Sequence, residues 1–258
     1  MKNMFLSAKN NLKYYKKLVF SGFTLAEALI TLGIIGIVAA LTIPQLMTNY
    51  KKKETANAVK KAYSEFSQVL KLAEVNNGEM AYWDYPADSS IEENQKFIEN
   101  YIIKYYKGVT RLENGKNPDG WNGVISKTAI NFVSANGTIF SMKATGNDKR
   151  LVLLIDTNGF KRPNKMGTDM FYFEVYGKNG KLIPFGWKDG LTREMILDGY
   201  QEPKNPSIIL ACKPPSEETD NSEIKIYTRY ACTSLLMLDG WEFKKDYPWS
   251  SSRSGAWE

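Results

Sequence analysis

The chain has 258 residues, a formal net charge of +6 and no histidine. The lack of histidine removes the most common general base and metal ligand, and with them most triad chemistry. Five lysines in residues 1–22 account for most of the net positive charge, so the charge balance does not indicate a nucleic-acid-binding body. No constellation of residues points to catalysis, and we expect a protein that is not an enzyme.

The N-terminal segment is a basic leader followed by a long apolar run. A secretory signal would place its apolar core before a small cleavage-site residue, whereas here Gly22 precedes the core. Residues 28–50 carry no charged side chain, which is long enough for one bilayer crossing of about 20 residues. The positive-inside rule puts the leader side in the cytoplasm, although three lysines at positions 51–53 oppose this orientation.

One carboxylate, that of Glu27, lies near the start of the apolar run. A charge at the centre of a membrane span costs roughly 2.5–3.5 kcal/mol on insertion scales, and such residues usually mark function. The alternative is a position at the membrane rim, where the cost is small.

The sequence Gly-Phe-Thr-Leu-Ala-Glu at positions 22–27, followed by an apolar helix, closely resembles the N-terminus of type IV prepilins and type II secretion pseudopilins. The resemblance covers about residues 16–75. It implies cleavage by prepilin peptidase after Gly22, N-methylation of Phe23 and a role in assembly for Glu27. It also matches Pro44 to the helix-kinking proline of many pilins.

The resemblance implies a structural subunit, namely a pilin, minor pilin or pseudopilin, of a type IV pilus or type II secretion-like filament. The implied partners are other pilin subunits in a homo- or hetero-filament, prepilin peptidase, the pilus or secretion assembly machinery and the inner membrane. The chain would be a single-pass inner-membrane protein first, then part of a pilus or pseudopilus at the cell surface or in the periplasm. The alternative is a signal-anchored extracytoplasmic binding or adhesion protein.

Beyond Pro44 the apolar residues recur at spacings of three and four, which predicts that the helix continues from Phe23 to about Val75. The residues of this stripe are Ala56, Val59, Tyr63, Phe66, Leu70 and Ala73. Two serines followed by two glutamates at positions 89–93 predict the start of a second helix, which ends at about Lys107.

The period then changes to two, which indicates strands. Asn-Gly pairs at positions 136–137, 158–159 and 179–180 separate apolar runs and are strong turn signals. Residues 124–187 are therefore predicted to form an antiparallel meander of about five strands.

Together these elements predict an α+β, pilin-like fold with a long N-terminal helix packed on an antiparallel β-sheet and a C-terminal disulfide-bounded loop. The expected order is leader peptide, transmembrane half and amphipathic half of the long helix, connecting αβ region, antiparallel sheet and C-terminal loop region. The corresponding residues are 1–22, 23–47, 48–78, 79–123, 124–187 and 188–258.

Two cysteines, Cys212 and Cys232, lie near the C-terminus. An even count in an exported chain favours a disulfide, which would stabilise a loop of this length by roughly 3 kcal/mol. The alternative is two buried free thiols. Many type IV pilins carry a disulfide-bounded loop at this place, so the resemblance agrees with the pairing.

An oxygen-rich loop follows one of the predicted strands. Asp156, Asn158, Asn164 and Asp169 would together bind one calcium ion, since calcium takes six to eight oxygen ligands. The competing interpretation is that these residues only form turns. The Asn-Gly pair then provides the positive φ of the turn, and the Asp side chains accept hydrogen bonds from backbone N–H groups. No cofactor other than this calcium ion is expected.

Aromatic residues cluster at positions 229–249, around Trp241 and Trp249. They could form an adhesive surface. Alternatively, they pack the disulfide loop onto the sheet.

Overall fold

The structure is a computed structural model that describes residues 22–87, 90–113, 127–213 and 225–249. The chain divides into two compact units, one ending at Leu46 and the other beginning at Met47. The basic leader before Gly22 lies outside the described residues.

Helix α1 runs from Leu25 to Asn77, 53 residues, and confirms the predicted long helix. Beyond residue 47 its apolar stripe is buried in the second unit, as the spacing predicted. The helix ends at Gly78, whose φ of +80° is the left-handed conformation that commonly terminates helices and whose N–H donates to the Glu74 carbonyl at 2.9 Å. The buried α1 residues are Ala56, Val59, Ala62, Phe66, Val69, Leu70 and Ala73.

Helix α2 spans Ile91–Tyr101 and begins at the predicted cap, since the Ser90 side chain accepts from the Glu93 N–H at 3.3 Å. It is shorter than predicted, because a separate 3₁₀ turn at Ile103–Tyr105 replaces its last turn. The buried Asn94 joins α2 to the sheet by accepting the N–H of Ala144 at 2.8 Å.

The main sheet is a six-stranded antiparallel meander in which each strand pairs with the next along the chain. The predicted hairpins are confirmed, and the sequence analysis missed the first strand, which is short and has no alternating pattern. The strands are β1 Val109–Arg111, β2 Ile130–Ser134, β3 Ile139–Thr145, β4 Arg150–Asp156, β5 Met170–Tyr176 and β6 Leu182–Pro184.

The C-terminal region, expected to be a loop region, also contains regular structure. Two short helices, α3 Arg193–Asp198 and α4 Cys232–Leu238, accompany a second, three-stranded sheet. Its strands are β7 Tyr200–Gln201, β8 Ile208–Ala211 and β9 Lys225–Thr228, of which the last two are parallel.

The main sheet is buried on both faces. One face packs with α1 and α2 through side chains such as Phe66, Phe97 and Phe173. The other packs with the C-terminal elements through Leu154 and Leu235, among others. This two-sided burial explains why β4 is a nearly continuous apolar run rather than an alternating one.

Candidate functional site

The first turn of α1 is held by a reciprocal capping interaction. The Glu27 carboxylate accepts the N–H of Thr24 at 2.8 Å and the Thr24 hydroxyl at 2.7 Å. In return the Glu27 N–H donates to Thr24 Oγ1 at 3.2 Å. This is a capping box, in which two orphan donors of a helix start are satisfied. Glu27 therefore has a role within its own chain that the sequence analysis did not assign to it.

The N-terminal half of α1 presents an unbroken apolar surface. Phe23 is 86% exposed, and the large apolar side chains of residues 25–47 are at least half exposed. An 18-residue window reaches a mean hydropathy of 2.2 with no residue buried, so this helix could cross a membrane by length and composition. Pro44 lies inside the helix, which continues on both sides of it. A surface of this kind requires cover from lipid or from other protein.

The predicted oxygen-rich residues lie together at the end of β4 and in the loop between β4 and β5, where the two aspartates hold the loop by hydrogen bonds. The buried Oδ1 of Asn158 accepts no hydrogen bond from the described residues. Asp156 Oδ1 accepts from the N–H groups of Asn158 at 3.1 Å and Gly159 at 2.8 Å. Asp169 Oδ2 accepts from Asn158 Nδ2 at 3.0 Å and from the Asn164 N–H at 2.8 Å. These bonds favour turn chemistry.

Calcium binding at this loop stays a prediction. Within the described ranges, no group of three or more His, Cys, Asp or Glu residues is arranged to hold a metal ion. Burial raises the pKa of the Asp169 carboxyl to about 6, against the hydrogen bonds it accepts. A melting temperature that is the same with calcium and with chelator would count against a calcium site.

The structure confirms the disulfide between Cys212 and Cys232, whose Cα atoms are 4.6 Å apart. It links the end of β8 to the start of α4 in the second core. Gly167 lies against it so closely that an added Cβ would approach Cys232 Sγ to 2.8 Å. The β4–β5 loop therefore packs directly against the disulfide.

Replacing both cysteines by alanine is expected to lower the free energy of unfolding by roughly 3 kcal/mol, because the cross-link limits the unfolded chain over a separation of 20 residues. Urea unfolding of the isolated second unit, residues 47–258, measures this. Dithiothreitol should destabilise the wild type by a similar amount and leave the variant unchanged. A wild-type urea midpoint that does not move on reduction would contradict the prediction.

Sequence analysis missed a buried ion pair at one end of the main sheet. Glu174 is 1% exposed and accepts hydrogen bonds from Arg150 Nη1 at 3.0 Å, the Tyr176 hydroxyl at 2.9 Å and the Gly186 N–H at 2.9 Å. Burial raises the pKa of Glu174, while these partners favour its charged form. One carboxylate within an otherwise aromatic and apolar strand was the available signal. Both carboxylate oxygens of Glu174 accept hydrogen bonds and its charge is paired with Arg150, which is typical of a structural role.

A helix that could anchor the chain in a membrane, followed by an α+β body with a buried disulfide, defines the class of this protein. The chain belongs to a family of unknown function, DUF6613, whose profile matches residues 45–250. The match covers the second unit up to Ser250 and leaves most of the apolar run, residues 28–44, outside. No curated protein and no solved structure matches the chain.

Proposed function

We propose that this protein is a pilin-like structural subunit, cleaved after Gly22, methylated at Phe23 and assembled into a type IV pilus or type II secretion-like filament. The observation that carries the proposal is the start of α1. Gly22 and Phe23 precede α1, and Glu27 caps its first turn. The apolar surface of this helix is uncovered for about half its length.

Such a helix is suited to two successive environments. The apolar residues 28–50 can lie in the inner membrane before assembly and in a bundle of identical helices afterwards. Cleavage creates a new cationic amine at Phe23, which becomes costly when it is buried in that bundle. A glutamate of a neighbouring subunit offsets this cost, and Glu27 is the carboxylate available within the span.

The fold of the second unit is compatible with that of a filament subunit. The later half of α1 packs on an antiparallel sheet, and a disulfide closes the C-terminal region, which is the element order of pilins. The partners on this proposal are other subunits, prepilin peptidase, the assembly machinery and the inner membrane. The protein acts by assembly and not as an enzyme.

The mass of the mature N-terminus tests the proposal directly. Methylated Phe23 supports it, whereas a retained Met1 overturns it and favours a signal-anchored extracytoplasmic binding protein. The measurement is mass spectrometry of the protein purified from membranes.

Replacing Gly22 by leucine is expected to abolish cleavage, because a bulky side chain at the last leader position should not fit the peptidase. An immunoblot should show only the full-length precursor. The matched control is Gly33→Leu, at a position in the apolar helix where an added Cβ meets nothing within 4 Å. Normal cleavage of the Gly22 variant, or equal loss in the control, would contradict the prediction.

A further inference from the structure

Two sequence features play no part in the proposed assembly: the lysines that follow the apolar run and the C-terminal aromatic cluster. The second unit brings them together in one groove of about 440 Å³. We call it the basic groove. Its defining residues are Asn49, Lys52, Lys53 and Lys60 of α1, with Trp241 and Phe243 of the segment after α4.

Aromatic contacts fix the far wall of the basic groove. Trp241 has a positive φ of 67°, lies where α4 ends and stacks obliquely on Tyr63 of α1 at 5.2 Å between ring centroids. Phe243 packs edge-on to Trp249 at 4.9 Å, and Lys52 Nζ lies 5.9 Å from the centre of the Trp249 ring. The wall is thus built on α1 itself and holds its indole rings beside the lysines.

The lining of the groove carries three lysines and one acid, Glu242. The nearby Asp239 and Asp246 lie outside this lining and share one arginine. Arg193 binds Asp239 at 2.8 Å and also donates to Asp246 at 2.7 Å. Glu242, which lines the groove, pairs with Lys244 at 2.6 Å. By contrast, Lys53 and Lys60 are exposed and form no ion pair within the described ranges. The groove therefore presents net positive charge beside aromatic rings.

The position of the basic groove along α1 indicates which part of a membrane would contact it. Residues 28–50 are uncharged and Lys51 is the first charge after them. At 1.5 Å per helical residue, Lys52 and Lys53 follow the end of the run by about 3–5 Å and Lys60 by about 15 Å. The polar layer of a bilayer is about 5–8 Å deep on each side, so Lys52 and Lys53 fall within it, whereas Lys60 lies on its outer side. Lysine and tryptophan are the side chains suited to that layer.

We propose that the basic groove binds the phosphate headgroups of anionic phospholipids in the leaflet facing the second unit, while the subunit waits in the membrane. The inference rests on the proposed function, since it requires α1 to span the membrane. It also explains the lysines on the side of the span where the positive-inside rule disfavours them. Lysines and aromatic rings bind single-stranded nucleic acid too, but the position directly after the apolar run favours lipid.

The test uses the full chain reconstituted in phosphatidylcholine vesicles containing some phosphatidylglycerol. Tryptophan fluorescence is quenched with brominated phosphatidylglycerol or, at the same overall composition, with brominated phosphatidylcholine. Subtracting a Trp241→Phe/Trp249→Phe variant isolates the groove signal. We expect stronger quenching by the anionic lipid. Each lysine near the surface contributes roughly a fivefold preference, so Lys52→Gln/Lys53→Gln/Lys60→Gln should lose at least that factor.

The matched control carries the same charge change on exposed lysines away from the groove, Lys161→Gln/Lys178→Gln/Lys181→Gln, and should keep the preference. Equal quenching by both lipids, or equal loss in the control, overturns the inference. The inference is also overturned if the chain shows no lipid preference and instead binds an oligonucleotide through the groove lysines. Alkaline carbonate extraction of the same vesicles separates the two proposals: a chain that is extracted refutes the membrane span, whereas an inserted chain without preference refutes the groove alone.

Discussion

Replacing Glu27 by glutamine is expected to leave cleavage and methylation intact and to reduce filament yield roughly tenfold or more, because an unpaired buried amine costs several kcal/mol. Glutamine has the shape of glutamate and can serve at this position of a capping box. The start of α1 should therefore form normally in this variant. Only the charge that would neutralise a neighbouring subunit's N-terminus is lost.

The matched control is Thr24→Ala, which removes the other half of the capping box but keeps the charge. Loss of such a cap costs about 1 kcal/mol of helix stability, and filament yield should stay near normal. Yield is measured as the sheared surface fraction on immunoblots, relative to mature subunit in the membrane. Normal yield from the glutamine variant would contradict charge pairing. A similar loss in both variants would assign Glu27 a capping role only.

The sequence predicted those helices and turns that are determined by residues close to one another along the chain. The three-and-four spacing of apolar residues gave α1 to within about two residues of its observed end at Asn77. The Asn-Gly pairs located the turns before β3, after β4 and after β5, because positive φ at the glycine is a property of the turn itself. Strands β2 to β6 all lie within the predicted meander of residues 124–187.

Elements stabilised by distant partners were harder to predict. Strand β1 has three residues and is a strand only because Val109 and Arg111 pair with β2. The parallel pairing of β8 with β9 likewise depends on the second core on the far face of the main sheet. Neither has a periodicity long enough to recognise in the sequence alone.

The candidate sites also differ in whether their residues are close together in the sequence or only in the fold. Gly22 and Glu27 lie within one six-residue stretch and could be recognised from the sequence. The basic groove joins lysines near position 52 to tryptophans near position 241, and the Glu174 pair joins two strands. The lysine tract, the aromatic cluster and the single carboxylate within a strand can each be seen in the sequence. That they lie next to their partners can be seen only in the folded structure.

Arg150→Met is expected to lower the free energy of unfolding of the second unit by about 3–5 kcal/mol at neutral pH, because it leaves the Glu174 carboxylate buried without its cation. Adding Glu174→Gln in the same chain should recover part of this loss, since a neutral amide needs no counter-charge. Urea unfolding of residues 47–258 measures the three chains.

The pH dependence of the loss distinguishes charge burial from lost packing. Burial already raises the pKa of Glu174, and removing Arg150 should raise it further. A carboxyl with a raised pKa in the folded state is protonated and tolerated at low pH, and its stability contribution is lost as the pH rises through that pKa. The deficit of Arg150→Met should therefore grow from acidic to neutral pH. The deficit of the double variant should not grow over this range, because it has no carboxyl at position 174.

Lys204→Met supplies the matched control on the same network. Lys204 pairs with Asp148 at 2.6 Å, and Asp148 in turn pairs with Arg150 at 3.1 Å, but the lysine side chain is 42% exposed. An exposed pair of this kind contributes about 0–1 kcal/mol, so the control should unfold almost as the wild type does. If both methionine variants lost the same stability, the burial of Glu174 would not be the reason, because only Arg150 compensates that buried charge.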